Sequence, residues 1–429
     1  MEKHIALEAW RFTLQQLIKA SFPFAELRPK PLDPEECYNG DYDFLYDGRQ
    51  KTELIKHLVS SFRAQKIPFL IFQAKRRKLQ IHIYDPVSGR RIIAEFWSAC
   101  TIDVSWMKAR FTAYLTWRDL EDAIVHDGDG FRIKSNIRAI LYITHLYAKN
   151  KEIEKEQVQQ RIQYFKEQCE SKEARQEMLR DLLTRLAKNE TPLKSANHAA
   201  LELLRDQGMF SLSKALWRFG EEKLFQMATK RPRNIMAVVG PDGAGKSTLL
   251  RQAIPESDHS MLYYKFKDLY RKHNGVDKIL RKWYGRNKSL KRNQIDEQIF
   301  GFHFISSLIV FFFFRMLHRK KMIVLDRYFY DLFIRGLRDP SAKAAPVPWY
   351  NLGLLIAPRP KGLLILDVPY ELSLVRKGEI ALEDWETIFS NYLNCYFAKP
   401  AKCLAWCNTE LPLDRCVDFF QSVKNIVKK

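Results

Sequence analysis

The run Gly240-Pro-Asp242-Gly243-Ala-Gly245-Lys246-Ser247-Thr248 places three glycines just before a cation and two hydroxyls. Glycines at this spacing let backbone N–H groups close around an anion, and a helix opening at Thr248 would add its N-terminus. Lys246 would then reach the β- and γ-phosphates of a nucleoside triphosphate, while Ser247 would hold Mg²⁺. Gly240, Asp242, Gly243, Gly245, Lys246, Ser247 and Thr248 are therefore the expected nucleotide contacts, with ATP and Mg²⁺ as the cofactors.

A phosphate loop specifies a nucleotide but no reaction. A second group of chemical residues closes the apolar segment Met322-Ile-Val-Leu-Asp326-Arg327-Tyr328. In a parallel sheet the carboxyl ends of strands converge on the ligand crevice, so Asp326 and Arg327 would stand beside the phosphates. There Asp326 would organise Mg²⁺ or its waters, and Arg327 would neutralise charge on a transferring or acceptor group. A third segment, Gly362-Leu-Leu-Ile-Leu-Asp367-Val-Pro-Tyr, leads into a helix ending at Arg376-Lys377. Phosphoryl transfer needs cations that close over the leaving phosphates, and Arg376 is the expected lid arginine.

These residues need elements to hold them. Ile235-Met-Ala-Val-Val239 has the length of a buried strand, and residues 234–429 alternate apolar strands with helices in the manner of a parallel α/β domain. Residues 131–233 read as a helical connector. Ile137, Ile140, Leu141 and Thr144 share one face there, as do Val158, Ile162 and Phe165. Lys230-Arg-Pro-Arg233 breaks the helix and marks the boundary. Residues 1–130 read as α+β, with a hairpin-like pair at 79–85 and 90–97 across a Pro-Val-Ser-Gly turn. The expected fold class is thus α/β, with a C-terminal P-loop domain, a helical connector and an N-terminal α+β domain.

Composition narrows the classes of function. The chain has 429 residues, only 17 glycines and ample apolar content, which excludes a disordered or repetitive protein. Its seven cysteines lack any framework or metal-pair spacing and suit reduced thiols in a cytoplasmic protein. The opening residues carry acids and no apolar core, unlike a secretory signal. Ile299–Phe314 is apolar but short for a membrane span, so a buried helix is the expectation. The net charge of +21 is concentrated between Lys265 and Arg292, where eleven Lys or Arg face only Asp268 and Asp277. Such a run implies an anionic acceptor or peripheral contact with an anionic membrane, with nucleic acid the less favoured partner; the plain alternative is a solvated face. A homodimer is a further expected partner.

The order GPDGAGKST, LDRY, LDVPYELSLVRK resembles the thymidylate kinase family of P-loop nucleoside monophosphate kinases over roughly residues 234–400. The resemblance implies that Lys246 and Ser247 serve the donor phosphates and Mg²⁺. It also implies that Asp242, Asp326 and Arg327 lie on the acceptor side and that Arg376 belongs to the lid. The Arg-Glu-Pro-Gly segment that helps such enzymes hold thymidine monophosphate is replaced by Tyr263-Tyr-Lys-Phe-Lys-Asp-Leu-Tyr. The later Ala-Tyr-Gln segment is replaced by Phe329-Tyr-Asp331-Leu-Phe-Ile-Arg. The Asp326-Arg-Tyr-Phe-Tyr-Asp331 text, with Arg376-Lys-Gly-Glu379 and Tyr392, looks more like the two-domain thymidylate kinase-like proteins of bacterial surface-polysaccharide gene clusters. That likeness implies a kinase of a sugar or lipid-linked glycan. A true nucleoside monophosphate kinase and a nucleic-acid-binding NTPase are the alternatives.

Asp41 and Asp43, two apart on a strand, point to one side, as acids that hold two metal ions do. Glu95 is better placed than Asp85 to supply a third acid. The region looks like a minimal nucleotidyltransferase, although the Gly-Ser phosphate contact of that family is absent upstream. A catalytic metal site, a degenerate binding fold and a surface acid pair are the three readings.

Overall fold

A computed structural model describes residues 5–28, 37–106, 109–126, 130–169, 174–229, 235–255, 258–266, 268, 279, 282, 292–332, 355–376, 382–398 and 400–428. The protein is mixed α/β and divides into two compact units. Unit 1 comprises Met1–Ser61, Gln73–His82 and Ile92–Arg231, and unit 2 comprises Phe62–Phe72, Ile83–Arg91 and Pro232–Lys429. The helices of 135–229 pack within unit 1, and two short segments before residue 92 belong to unit 2. The boundary expected at Lys230–Arg233 lies outside the described residues.

In unit 1, β1 (Phe24–Arg28) pairs antiparallel with β2 (Asp41–Tyr46). The strands that follow are β3 (Phe69–Lys75) and β4 (Lys78–Tyr84), each divided between the two units, then β5 (Arg91–Trp97), β6 (Ala99–Trp106), β7 (Ala109–Thr116), β8 (Ile124–His126) and β9 (Phe131–Ile133), which apart from Arg91 lie in unit 1. β2 runs parallel to β5 in a register that sets Asp43 opposite Glu95. The turn between β4 and β5, which falls in unit 2, is closed by Asp85, whose Oδ1 accepts from the N–H groups of Val87 and Ser88 at 3.0 and 2.8 Å. Helix Ser135–Ala148 buries Ile137, Ile140, Leu141 and Thr144, and helix Glu156–Glu167 buries Val158, Ile162 and Phe165. Those stripes face a shared core with Ile102, Val104 and Leu115 of the β6–β7 hairpin and Leu204 of helix Leu193–Asp206.

In unit 2, five strands run parallel: β10 (Ile235–Val239), β11 (Met261–Lys265), β12 (Met322–Asp326), β13 (Gly362–Asp367) and β14 (Cys403–Asn408). Their order is β11-β12-β10-β13-β14, which puts β10 at the centre. β10, β12 and β14 are buried throughout, as strands covered on both faces must be. Helix Leu413–Lys428 packs through Cys416, Phe419, Phe420, Val423 and Val427. It lies so close that a Cβ on Gly362 would sit 2.5 Å from Val427 Cγ2.

β14 is not left as an edge. Residues Phe69–Phe72 of β3 pair antiparallel with it, and the Phe69 ring stacks on Trp406 at 5.7 Å. Just before that strand, Arg63 Nε donates to Asp367 at 3.0 Å and Lys66 Nζ pairs with Glu410 at 2.8 Å. An N-terminal piece of chain thus supplies a sixth strand beside the five that carry the 240–248 loop.

Helix Arg292–Leu317 contains the apolar run expected to be buried. It buries Phe304, Ser307 and Phe311, and both rings meet Phe329, at 5.8 and 5.5 Å. Its opposite face is exposed, so the expectation of a buried helix holds on one side only. Among the described residues no helix is long and apolar enough to cross a membrane.

Candidate functional site

β10 ends at Val239, the chain turns through 240–245, and helix Lys246–Ala253 begins. Gly240 has φ +147°, and a Cβ there would lie 2.4 Å from the Leu366 carbonyl oxygen. Gly243, at φ +84°, approaches Ser373 closely, whereas Gly245, at φ +75°, faces open space and needs glycine for its backbone alone. The bend turns the unpaired first N–H groups of the helix into one cradle, the arrangement that receives a phosphate.

Lys246 is 6% exposed and folds back on its own loop, its Nζ donating to Gly240 O at 2.8 Å and Pro241 O at 2.6 Å. Burial first, and then the positive charge of Arg327, brings its ammonium down to about 8. Ser247 Oγ donates to Asp326 Oδ2 at 2.8 Å, and Tyr263 OH reaches the same oxygen at 3.2 Å. Asp326 is buried at the carboxyl end of β12, in register with Val238 on one side and Lys265 on the other. A hydroxyl and a carboxylate oxygen at this separation, beside the cradle, fit the oxygen-donor chemistry of Mg²⁺. Thr248, the third residue of the helix, is exposed.

Arg327 adopts φ +73°, unusual for a side chain of its size. Its N–H donates to Val238 O at 2.9 Å, so the turn is locked onto the strand beneath the loop. The guanidinium pairs with Asp242 and, at 3.1 Å, with Asp331 Oδ1. Asp331 is itself fixed by the Tyr328 N–H at 2.8 Å and the Tyr392 hydroxyl at 2.6 Å. Burial opposes the charge on Arg327, but Asp331 and Asp242 outweigh it and hold the guanidinium above its ordinary range. Asp242 is thereby tied to both sides of the loop, because its carbonyl accepts from Ser373 Oγ at 2.7 Å. Arg376, exposed at the end of helix Tyr370–Arg376, donates to Gly243 O at 3.2 Å.

The structure therefore brings Asp242, Lys246, Ser247, Asp326, Arg327 and Arg376 together around one loop. Asp331 and Tyr392 carried no role in the sequence. The 327/331 spacing is a local sign of the first, while Tyr392 lies 61 residues from its partner. Lys377 and Glu379 lie outside the described residues, as do Lys267, Arg271 and Lys272 of the basic run.

The acids of unit 1 behave differently. Glu95 forms an ion pair with Lys78 and accepts from Gln80 Nε2 at 2.8 Å. Asp43 accepts from Trp97 Nε1 at 3.2 Å, and the Lys78 ammonium lies 4.7 Å from the Trp97 ring centre. Asp41 is exposed. Burial pushes the Glu95 carboxyl up to about 7 despite the pull of Lys78, and the charges of Asp43 and Asp41 both act to raise it further. Among the described residues no group of three or more His, Cys, Asp or Glu is arranged to hold a metal ion. Of the expected set Asp41, Asp43 and Glu95, Glu95 has the Lys78 ammonium against it.

Comparison with known proteins yields no family model that matches the chain and no curated protein that matches it.

Proposed function

We propose that this chain is an ATP- and Mg²⁺-dependent phosphotransferase whose acceptor is not thymidylate but a sugar or lipid-linked glycan. The observation that carries the reading is the contact between Ser247 Oγ and Asp326 Oδ2 at 2.8 Å, beside a loop whose lysine is folded back on its own carbonyls. Incoming phosphate would draw Lys246 from Gly240 and Pro241 and restore its full charge. Ser247 and Asp326 would hold Mg²⁺, which supplies positive charge to the β- and γ-oxygens. The N–H groups of the loop and helix orient the donor. Arg376 reaches the loop from the β13 side, where it can follow the departing phosphate. Arg327, clamped between Asp242 and Asp331, stands at the opposite side, where an acceptor enters.

The acceptor class rests on what has replaced the thymidylate segments. Tyr263 is committed to Asp326, and Lys265 is in register with that same aspartate on the neighbouring strand. In unit 1 the Lys78–Glu95 pair favours a binding role over metal catalysis. The test is transfer of radiolabelled γ-phosphate by purified protein to thymidine monophosphate, simple sugars and lipid-linked glycans. Labelled sugar or glycan product that disappears in Lys246→Ala supports the reading. Efficient labelling of thymidine monophosphate alone would reassign the enzyme as a nucleoside monophosphate kinase.

A further inference from the structure

Helix Arg292–Leu317 has two apolar faces, and unit 2 covers one. Phe304, Ser307 and Phe311, spaced i, i+3, i+7, form the inward stripe against Phe329. Ile305, Ile309, Phe312, Phe313, Met316 and Leu317 lie outward, with Phe312 60% and Leu317 80% exposed. The outward residues recur at i, i+4, i+7, i+8, i+11 and i+12, a continuous stripe about 18 Å long at the rise of an α-helix. Contiguous exposed apolar surface of this kind marks an interaction site.

Charge identifies the occupant. From Gln298 to Leu325 the chain has no Asp or Glu, whereas Arg315, Arg319, Lys320 and Lys321 cluster at the foot of the stripe. Arg319 and Lys320 are exposed. A second copy of this chain, itself at +21, would offer no excess of acids to meet these cations. An anionic bilayer matches both features, taking the aromatic and aliphatic side chains below the headgroups while the cations meet lipid phosphates. No described helix can span the bilayer, so the helix would lie along it.

We propose that the outward face of helix Arg292–Leu317, with Arg319–Lys321 at its end, docks unit 2 on an anionic membrane surface. This surface is independent of the phosphoryl-transfer reading and is tested without it. The experiment is sedimentation of the full chain with phosphatidylcholine vesicles, with and without phosphatidylglycerol, alongside analytical ultracentrifugation in the absence of lipid. Wild-type protein should sediment with the anionic vesicles only. Ile309→Gln combined with Phe312→Gln and Phe313→Gln should lower the partition by at least about a hundredfold, with an unchanged circular dichroism spectrum because these side chains are exposed. Arg319→Gln with Lys320→Gln and Lys321→Gln should lower it about a hundredfold, from about fivefold per cation. Wild-type protein left in the supernatant, or undiminished binding by the apolar variant, would overturn the proposal. So would a wild-type dimer that the apolar variant turns into a monomer, which would assign the face to a second copy.

Discussion

Raising the pH should weaken nucleotide binding through Lys246. In the ligand-free protein its ammonium titrates at about 8 because the side chain is buried and Arg327 stands nearby. A bound phosphate favours the charged form and returns the group to its ordinary range of about 10.4 or above. Binding must therefore take up a proton wherever the free lysine is neutral. At pH 8.5 the uptake is about three quarters of a proton, and between pH 7.5 and 9.5 affinity should fall about 25-fold, or about 2 kcal/mol. Tyr263, pushed up to about 12 by burial and Asp326, stays neutral through this window. The phosphates of ADP have also finished titrating there. Titration calorimetry of ADP with Mg²⁺, in two buffers of different ionisation enthalpy, measures the uptake directly. Lys246→Met should bind more weakly at pH 7.5 and show no such dependence. The ligand-free protein has the opposite trend. The lowered folded value means the unfolded chain holds more protons between about pH 8 and 10.4, so this group favours folding increasingly as pH rises through that window. A flat affinity with no proton uptake in the wild type would refute the argument, because a lysine that gains no charge on binding is not meeting phosphate.

Asp326→Asn should leave ADP affinity in EDTA within a few fold while lowering Mg²⁺-dependent turnover at least about a hundredfold, since it removes charge beside Ser247; equal turnover would take Asp326 out of the metal site. The Glu95 carboxyl, raised by burial to about 7, makes the folded state hold more protons than the unfolded chain between about pH 4.5 and 7. Stability should thus fall as pH rises through that window, by up to about 3 kcal/mol. Glu95→Gln should abolish that component of the slope in urea titrations at pH 5 and 8, and identical slopes would remove Glu95 as its source. Phe69→Ala should cost about 3–5 kcal/mol in chemical denaturation, because the ring is fully buried on Trp406. A loss under about 1 kcal/mol would mean that β3 contributes little to the sheet.

The bend of the 240–248 loop was legible because its constraints are local. Gly240, Gly243 and Gly245 each occupy positive φ, and the cation and hydroxyl follow in the same turn, so nine consecutive residues carry the whole device. The unbroken apolar runs of β10, β12 and β13 likewise announced strands buried on both faces, with Asp326 at the carboxyl end. The helical stripes of 137–144 and 158–165 were legible for the same reason, since spacing along one chain decides which side chains share a face.

Partnership across the chain was not legible. Nothing near Asp331 announces Tyr392, and nothing in the Asp41-Tyr-Asp43 pattern shows that Lys78 will sit against Glu95 instead of leaving it for a metal. The addition of Phe69–Phe72 to β14 depends on a pairing between segments more than 300 residues apart, which alternation within either segment does not specify. The same holds for helix Arg292–Leu317. Its apolar run was plain in the sequence and was expected to be buried, but burial is a property of what packs against a face, and only the tertiary structure determined that one face meets Phe329 while the other remains open.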